Sequence, residues 1–84
     1  MSDVAAIEKE LLSIKDLLTK MQREGKVKSG DELVPLQDRL AAVDTQRKDG
    51  KWIAKDGSIP PGQANLIQLL EDCYEIKDQI MDRL

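Results

Sequence analysis

Apolar and polar positions alternate along the first part of the chain with the three- and four-residue spacing of an amphipathic helix. This spacing predicts a helix over residues 3–24, and Gly25 directly after it supplies a stop. The apolar positions wind into one stripe, which consists of Val4, Ile7, Leu11, Ile14, Leu18 and Met21.

A second helix is predicted over residues 31–48. Ser29 and Glu32 fit a capping box, with Asp31 as a competing cap, and Pro35 is tolerated in a first turn. The Asp49-Gly50 pair then signals a turn that ends the helix. Its apolar face consists of Leu33, Leu36, Leu40 and Val43.

The third predicted helix covers residues 61–84 and has two neighbouring apolar stripes. The first stripe consists of Leu66, Leu69, Cys73, Ile76, Ile80 and Leu84. The second stripe consists of Ile67, Leu70, Tyr74 and Met81. Two stripes suit a helix that packs between two others, as in a closed bundle. The alternative is that the second stripe stays exposed and receives a partner helix or a second copy of the chain.

These elements predict an all-α fold, an up-down-up three-helix bundle that forms one domain over residues 1–84. The link between the first two helices is short enough to fold them antiparallel. The second link, residues 49–60, is a structured loop that is longer than this topology requires. Because the third helix reaches the last residue, the sequence is compatible both with a whole protein and with a domain of a larger one.

The long loop contains the single tryptophan between two Lys-Asp-Gly turns. One interpretation is that Trp52 and Ile53 fold down as an apolar lid on the end of the bundle. The other is that Trp52 stays partly exposed between Lys51 and Lys55 and anchors a protein partner. A calcium loop is excluded, because Lys51 and Pro60 occupy positions that require oxygen ligands.

Composition and charge exclude several classes of function. The net charge of −3 and the interleaved basic residues argue against nucleic-acid binding. No apolar run is long enough for membrane insertion, and the acidic start of the sequence is unlike a signal peptide. The single cysteine, Cys73, cannot form an internal disulfide, so we expect a reducing compartment and cytoplasmic localisation.

The sequence offers no catalytic constellation. It contains no histidine, and Cys73 lies within an apolar stripe, as a core residue would. The acids of the third helix are expected to form a solvated face: Glu71, Asp72, Glu75, Asp78 and Asp82. We therefore predict no enzyme activity, no cofactor and no metal site.

Two resemblances add expectations to this interpretation. The stretch from Leu36 to Ile76 resembles a helical segment in a family of uncharacterised fungal proteins, which implies no known activity. The residues that match its pattern are Arg47, Asp49, Gly50, Lys51, Asp56, Gly57, Pro60, Gly62, Gln63 and Ala64. The third helix, with "LIQLLEDC", is also similar to the BAG domains that bind the Hsp70 ATPase domain. Gln68 matches that family's glutamine, but Pro60 stands where its arginine is expected.

We conclude from the sequence that the chain is a protein–protein interaction or scaffold module, with a BAG-like co-chaperone as the alternative. The partner is a protein of unknown identity, and a homodimer is a further option. The candidate partner-binding residues are Lys51, Trp52, Ile53, Lys55, Ile67, Tyr74 and Met81.

Overall fold

The chain folds into three α helices joined by one short and one long connection. The computed structural model describes residues 3–54 and 56–84. Within these ranges there is no strand, only an isolated bridge between Lys48 and Lys51. The predicted all-α fold class is confirmed. The helices are α1 (Val4–Glu24), α2 (Val34–Asp44) and α3 (Gln63–Asp82).

Local signals define both ends of α1. The Asp3 carboxylate accepts a hydrogen bond from the Ala6 N–H (N to Oδ1 3.2 Å), which satisfies one of the unpaired amides of the first turn. At the other end Gly25 adopts φ +63°, and its N–H donates to the Met21 carbonyl at 3.0 Å. The helix thus follows the predicted range 3–24, with Asp3 as its cap. Its buried side chains are Ile7, Leu11, Ile14 and Leu18.

Helices α1 and α3 lie parallel and keep a constant register. Lys15 Nζ lies 3.2 Å from Asp72 Oδ2, and Gln22 Nε2 donates to Gln79 Oε1 one heptad further along both helices. Each pair joins residues that are 57 positions apart in the sequence. A seven-residue step on both helices is the repeat of a parallel coiled coil. The pairing of α1 with α3 therefore forms the long axis of the molecule.

Helix α2 runs antiparallel to the other two helices. Arg39 Nε of α2 donates to Glu10 Oε2 of α1 at 3.0 Å. One turn later in α2, Val43 lines the same surface hollow as Ile7, which lies one turn earlier in α1. The topology is therefore up-down-up. α2 packs mainly on α1 and less on α3, and the molecule is a rod of 44 × 18 × 17 Å.

The second helix begins later than predicted. The Glu32 carboxylate accepts hydrogen bonds from the Ser29 N–H (3.1 Å) and from the Lys28 N–H. Both bonds hold the pKa of Glu32 below its usual value, and the bond from the Lys28 N–H has the larger effect. They open a 3-10 turn over Gly30–Leu33, and the α-helical pattern starts only at Val34.

The second helix also ends four residues before the predicted position, at Asp44 instead of Lys48. In a continuing helix the Lys48 N–H would donate to the Asp44 carbonyl. It donates instead to the Lys51 carbonyl at 2.7 Å, because residues 48–51 form a hairpin turn. The boundary was wrong because this competing local structure begins inside the predicted helix.

Helix α3 begins at Gln63, two residues after the predicted start at Pro61. Gly62 has φ +90°, which an α helix does not allow, and its carbonyl accepts the Leu66 N–H at 3.1 Å. Gly62 is therefore the N-cap. The connection between α2 and α3 covers residues 45–62 instead of 49–60, and α3 ends at Asp82 instead of residue 84.

One continuous core lies between the three helices. Leu70 belongs to it, whereas Leu69 and Ile76 are only partly buried. Both predicted stripes of α3 therefore contribute to the core, the first through Leu66, Cys73 and Ile80 and the second through Leu70. The reason is that α3 faces α1 on one side and α2 on the other, so the core follows a line between the stripes. The buried apolar residues are Ile7, Leu11, Ile14, Leu18, Leu33, Leu36, Leu40, Val43, Trp52, Leu66, Leu70, Cys73 and Ile80.

Candidate interaction surface

The connection between α2 and α3 starts with a tight hairpin. Lys48 and Lys51 exchange two backbone hydrogen bonds, of 2.7 and 3.0 Å. The two residues between them have positive φ, +53° for Asp49 and +81° for Gly50. This is the type I′ turn, for which Asp-Gly is a preferred pair. The first Lys-Asp-Gly copy is therefore explained by backbone geometry.

Trp52 follows the hairpin and is fully buried, with 0% of its surface exposed. Its indole Nε1–H donates to the Val43 carbonyl at 3.1 Å, in the last turn of α2. The guanidinium carbon of Arg47 lies 5.4 Å from the centre of the ring, a cation–π distance. Trp52 thus closes the end of the bundle where α2 ends, as the lid interpretation expects. In this conformation the ring is not available to anchor a partner.

The side-chain amide of Gln63 holds the backbone of Trp52 in place. Gln63 Oε1 accepts the Trp52 N–H at 3.1 Å, and Gln63 Nε2 donates to the Trp52 carbonyl at 2.9 Å. The same nitrogen donates to the Pro60 carbonyl at 3.1 Å. One side chain at the start of α3 therefore satisfies three backbone groups of the connection. The sequence pattern alone does not indicate this role, although Gln63 is among the residues that match the fungal pattern.

A second turn surrounds the other Asp-Gly pair. Asp56 Oδ1 accepts hydrogen bonds from the Ser58 hydroxyl (2.5 Å) and the Ser58 N–H (2.9 Å). These two bonds lower the pKa of Asp56, and the bond from the hydroxyl has the larger effect. The Gly57 N–H donates to the Ala54 carbonyl at 2.9 Å. The second Asp-Gly pair is therefore also a structural turn.

The seven predicted partner-binding residues do not form one cluster. Lys51 is exposed and Ile53 is half-buried near the lid, whereas Lys55 lies outside the described residues. Trp52 belongs to the core. The remaining three residues lie on α3 at intervals of seven, so they follow one side of that helix. We call Ile67, Tyr74 and Met81 the α3 line.

The α3 line is only partly covered by α2 and its preceding turn. Ile67 and Tyr74 are half-buried, and Met81 is 41% exposed. Met81 lies over Gly30, where an added Cβ would come within 3.2 Å of its Cε atom. The outer side of the line therefore faces solvent.

Tyr74 lies at the centre of the α3 line. Lys77 Nζ lies 5.5 Å from the centre of its ring. Burial raises the pKa of the Tyr74 phenol, and the negative charge of Asp44 adds to this effect. Tyr74 is therefore neutral at physiological pH, and its ring gives the line an apolar centre with a polar tip.

Four exposed carboxylates follow α3 beside this line. Their positions advance by four, three and four residues, so they share one side of the helix. Asp72 does not belong to this group, because it faces α1 and pairs with Lys15. We call the four residues the acidic row: Glu71, Glu75, Asp78 and Asp82.

The chemistry of the described residues offers no alternative site. Cys73 is buried, its Sγ lies 3.6 Å from the Leu11 carbonyl, and burial raises its pKa from 9.0 to about 11. No group of three His, Cys, Asp or Glu within residues 3–54 and 56–84 is placed to hold a metal ion. None of the helices in these ranges is long and apolar enough to cross a membrane.

Two fungal proteins are similar to this chain. The CUB1 family protein of Schizosaccharomyces pombe is 32% identical over 80 residues, which cover 95% of this chain and 18% of that protein. The "Cu(2+) suppressing and bleomycin sensitive protein 1" of Saccharomyces cerevisiae is 35% identical over 74 residues, which cover 88% of this chain and 13% of that protein. The chain thus spans less than a fifth of the length of these relatives.

No solved structure is significantly similar to the chain. The predicted resemblance to a family of uncharacterised fungal proteins is confirmed, whereas these matches do not show the predicted similarity to BAG domains. The family match extends over residues 1–83, from before α1 to the end of α3. The chain therefore belongs to the family described as "Protein of unknown function (DUF2408)".

Proposed function

We propose that this domain is a protein–protein interaction module, which binds a partner along the α3 line. The observation that carries the proposal is the incomplete cover of that line. Ile67, Tyr74 and Met81 are evenly spaced on one helix, yet Ile67 and Tyr74 are only half-buried and Met81 is 41% exposed. An apolar line of this kind suits a helix from another protein.

The relatives support a role as one part of a longer protein. This chain corresponds to 18% and 13% of their lengths, so most of each relative lies outside the matching segment. A small domain within a long protein is well suited to hold a partner near the other parts. The Cu²⁺ suppression and bleomycin sensitivity in the name of the Saccharomyces cerevisiae protein refer to that protein, and we propose no copper site here.

A binding role also agrees better with the available side chains than catalysis does. The sequence contains no histidine, and the Cys73 thiol is buried and protonated at neutral pH because its pKa is about 11. We therefore propose that the domain is not an enzyme. Cytoplasmic localisation remains our expectation, because the lone cysteine needs no oxidising compartment.

The test is a quantitative affinity capture from a fungal lysate with matched variants. We expect Ile67→Ser/Met81→Ser to lose most of at least one protein that the unchanged chain enriches. Leu12→Ser/Leu17→Ser is the matched control, because these leucines are about as exposed (48% and 40%) as Met81 (41%) but lie on α1.

Folding of each variant is checked by circular dichroism, and Met81→Ser alone serves if the double variant unfolds. Capture that is equal for the α3 variant and the unchanged chain would contradict the proposal.

Two alternatives have separate tests. A homodimer through the α3 line predicts a dimer in sedimentation that Tyr74→Glu dissociates. The BAG-like co-chaperone predicts faster nucleotide release from Hsp70. No feature of the described residues favours this BAG-like alternative, since Gln68 is exposed and donates to Asp72 of the same helix at 2.9 Å.

A further inference from the structure

The acidic row gives the α3 line a chemical character that narrows the class of partner. On a helix, residues three and four positions apart are neighbours. Glu71 is therefore next to both Ile67 and Tyr74, and Asp78 is next to both Tyr74 and Met81. A carboxylate thus borders each interval of the apolar line. A partner helix on the line must pass these two charges.

The carboxylates of the row are largely without cationic partners in the described part of the chain. Glu71, Glu75 and Asp82 form no salt bridge there, and Asp78 has only its sequence neighbour Lys77, at 2.9 Å. That pair is exposed on the aspartate side, where 66% of the side chain is accessible, so water and salt screen it.

The composition of α3 as a whole adds to the negative charge of the acidic row. The helix contains five carboxylates and one lysine, and only Asp72 is paired across to α1, through Lys15. Four negative charges along one side of a helix produce a potential that attracts cations and repels acidic surfaces. Such a potential selects partners by charge and increases their association rate.

We propose that the α3 line binds a basic amphipathic helix of a protein partner, whose apolar residues cover Ile67, Tyr74 and Met81 while its lysines or arginines face the acidic row. This inference rests on the proposed function and specifies its partner. The line spans 15 residues, from Ile67 to Met81, or about 21 Å of helix, which three heptads of a partner cover completely.

A second copy of the chain fits this surface less well. In an antiparallel pair related by a twofold axis, the acidic row of one copy faces the acidic row of the other. Like charges that face each other across an interface oppose association. Self-association through the line is therefore an outcome that would contradict the inference.

The test measures binding of two designed helical peptides to the intact chain. Both peptides have three heptads with leucine at a and d. One has lysine at the flanking e and g positions, and the other has glutamate there, so that neither forms a stable homodimer. The dissociation constants are measured by fluorescence anisotropy. The two salt concentrations are about 0.1 M and about 1 M, where the screening lengths are about 10 and 3 Å.

We expect the lysine peptide to bind at least about tenfold more tightly than the glutamate peptide at the lower salt concentration, with a much smaller difference at the higher one. Glu71→Gln/Asp78→Asn should raise the dissociation constant of the lysine peptide about fivefold, because two exposed ion pairs are lost. Glu8→Gln/Asp16→Asn is the control, since it changes the net charge equally on α1.

Equal affinities for the two peptides, no binding of either, or equal effects of the two variant pairs would overturn the inference. So would a dimer of the chain that buries the α3 line. The affinity capture described above judges the proposed function separately. A partner that depends on Ile67 and Met81 but not on Glu71 and Asp78 would leave the interaction module intact and refute its basic partner.

Discussion

Replacing Trp52 by alanine is the most direct test of how the connection between α2 and α3 is held. The indole is fully buried, and truncation of a buried aromatic residue to alanine costs about 3–5 kcal/mol of unfolding free energy. A domain of this size has a total stability of about 4–13 kcal/mol. We therefore expect Trp52→Ala to remove a large part of the stability, and to leave the chain partly unfolded at physiological temperature.

The Trp52→Phe variant separates packing from hydrogen bonding. Phenylalanine keeps most of the apolar surface but lacks the N–H that donates to the Val43 carbonyl. That carbonyl keeps a second donor, the Gln46 N–H at 3.2 Å, so it is not left unsatisfied. The expected loss is therefore small, about 1–2 kcal/mol including the change in ring volume.

Both variants are measured by urea denaturation, followed by circular dichroism because the tryptophan signal is absent. The slope of the unfolding transition reports whether the folded state keeps its compactness. If Trp52→Ala loses less than about 1 kcal/mol, the tryptophan is not a core residue in solution, and the anchor interpretation regains its basis. Similar losses for the two variants would instead assign the stability to the indole hydrogen bond.

Three further predictions concern other contacts. Gln63→Ala removes the amide that binds both backbone groups of Trp52, so it should cost about 2 kcal/mol in urea denaturation, whereas Gln68→Ala on the exposed face of α3 should cost less than about 0.5 kcal/mol. Stability should fall as the pH rises from 9.0 towards 11, because the unfolded thiol of Cys73 ionises while the folded one keeps its proton, and Cys73→Ala should flatten this dependence. At the acid end, the Arg39 hydrogen bond lowers the pKa of Glu10, so the unchanged chain should lose more stability than Glu10→Gln when the pH falls below 4.5; parallel profiles would contradict this contribution.

Features that depend on neighbouring residues in the sequence were predictable. The periodic stripe of α1 and the stop at Gly25 gave that helix its range, because both act within one or two turns. The all-α fold class and the up-down-up order of the helices followed from three such stripes and from the short link between the first two helices.

Features that depend on distant contacts were not predictable. Burial of Trp52 depends on Val43 and Gln63, which lie in two different helices, so the sequence alone did not exclude the anchor interpretation. The choice of Leu70 over Leu69 for the core depends on the direction from which α2 approaches α3. The spacing of the acidic row was visible in the sequence. The pairing of the neighbouring Asp72 with Lys15 was not, because Lys15 lies in another helix.

The parallel arrangement of α1 and α3 also determines how this domain joins other segments. α1 begins at one end of the 44 Å rod, and α3 finishes at the opposite end. In any longer polypeptide that contains this fold, the segment before α1 and the segment after α3 leave in opposite directions. A two-helix hairpin would return the chain to its starting point. In such a polypeptide the two flanking segments would leave from opposite ends of the rod, and the side of α3 between them would stay accessible.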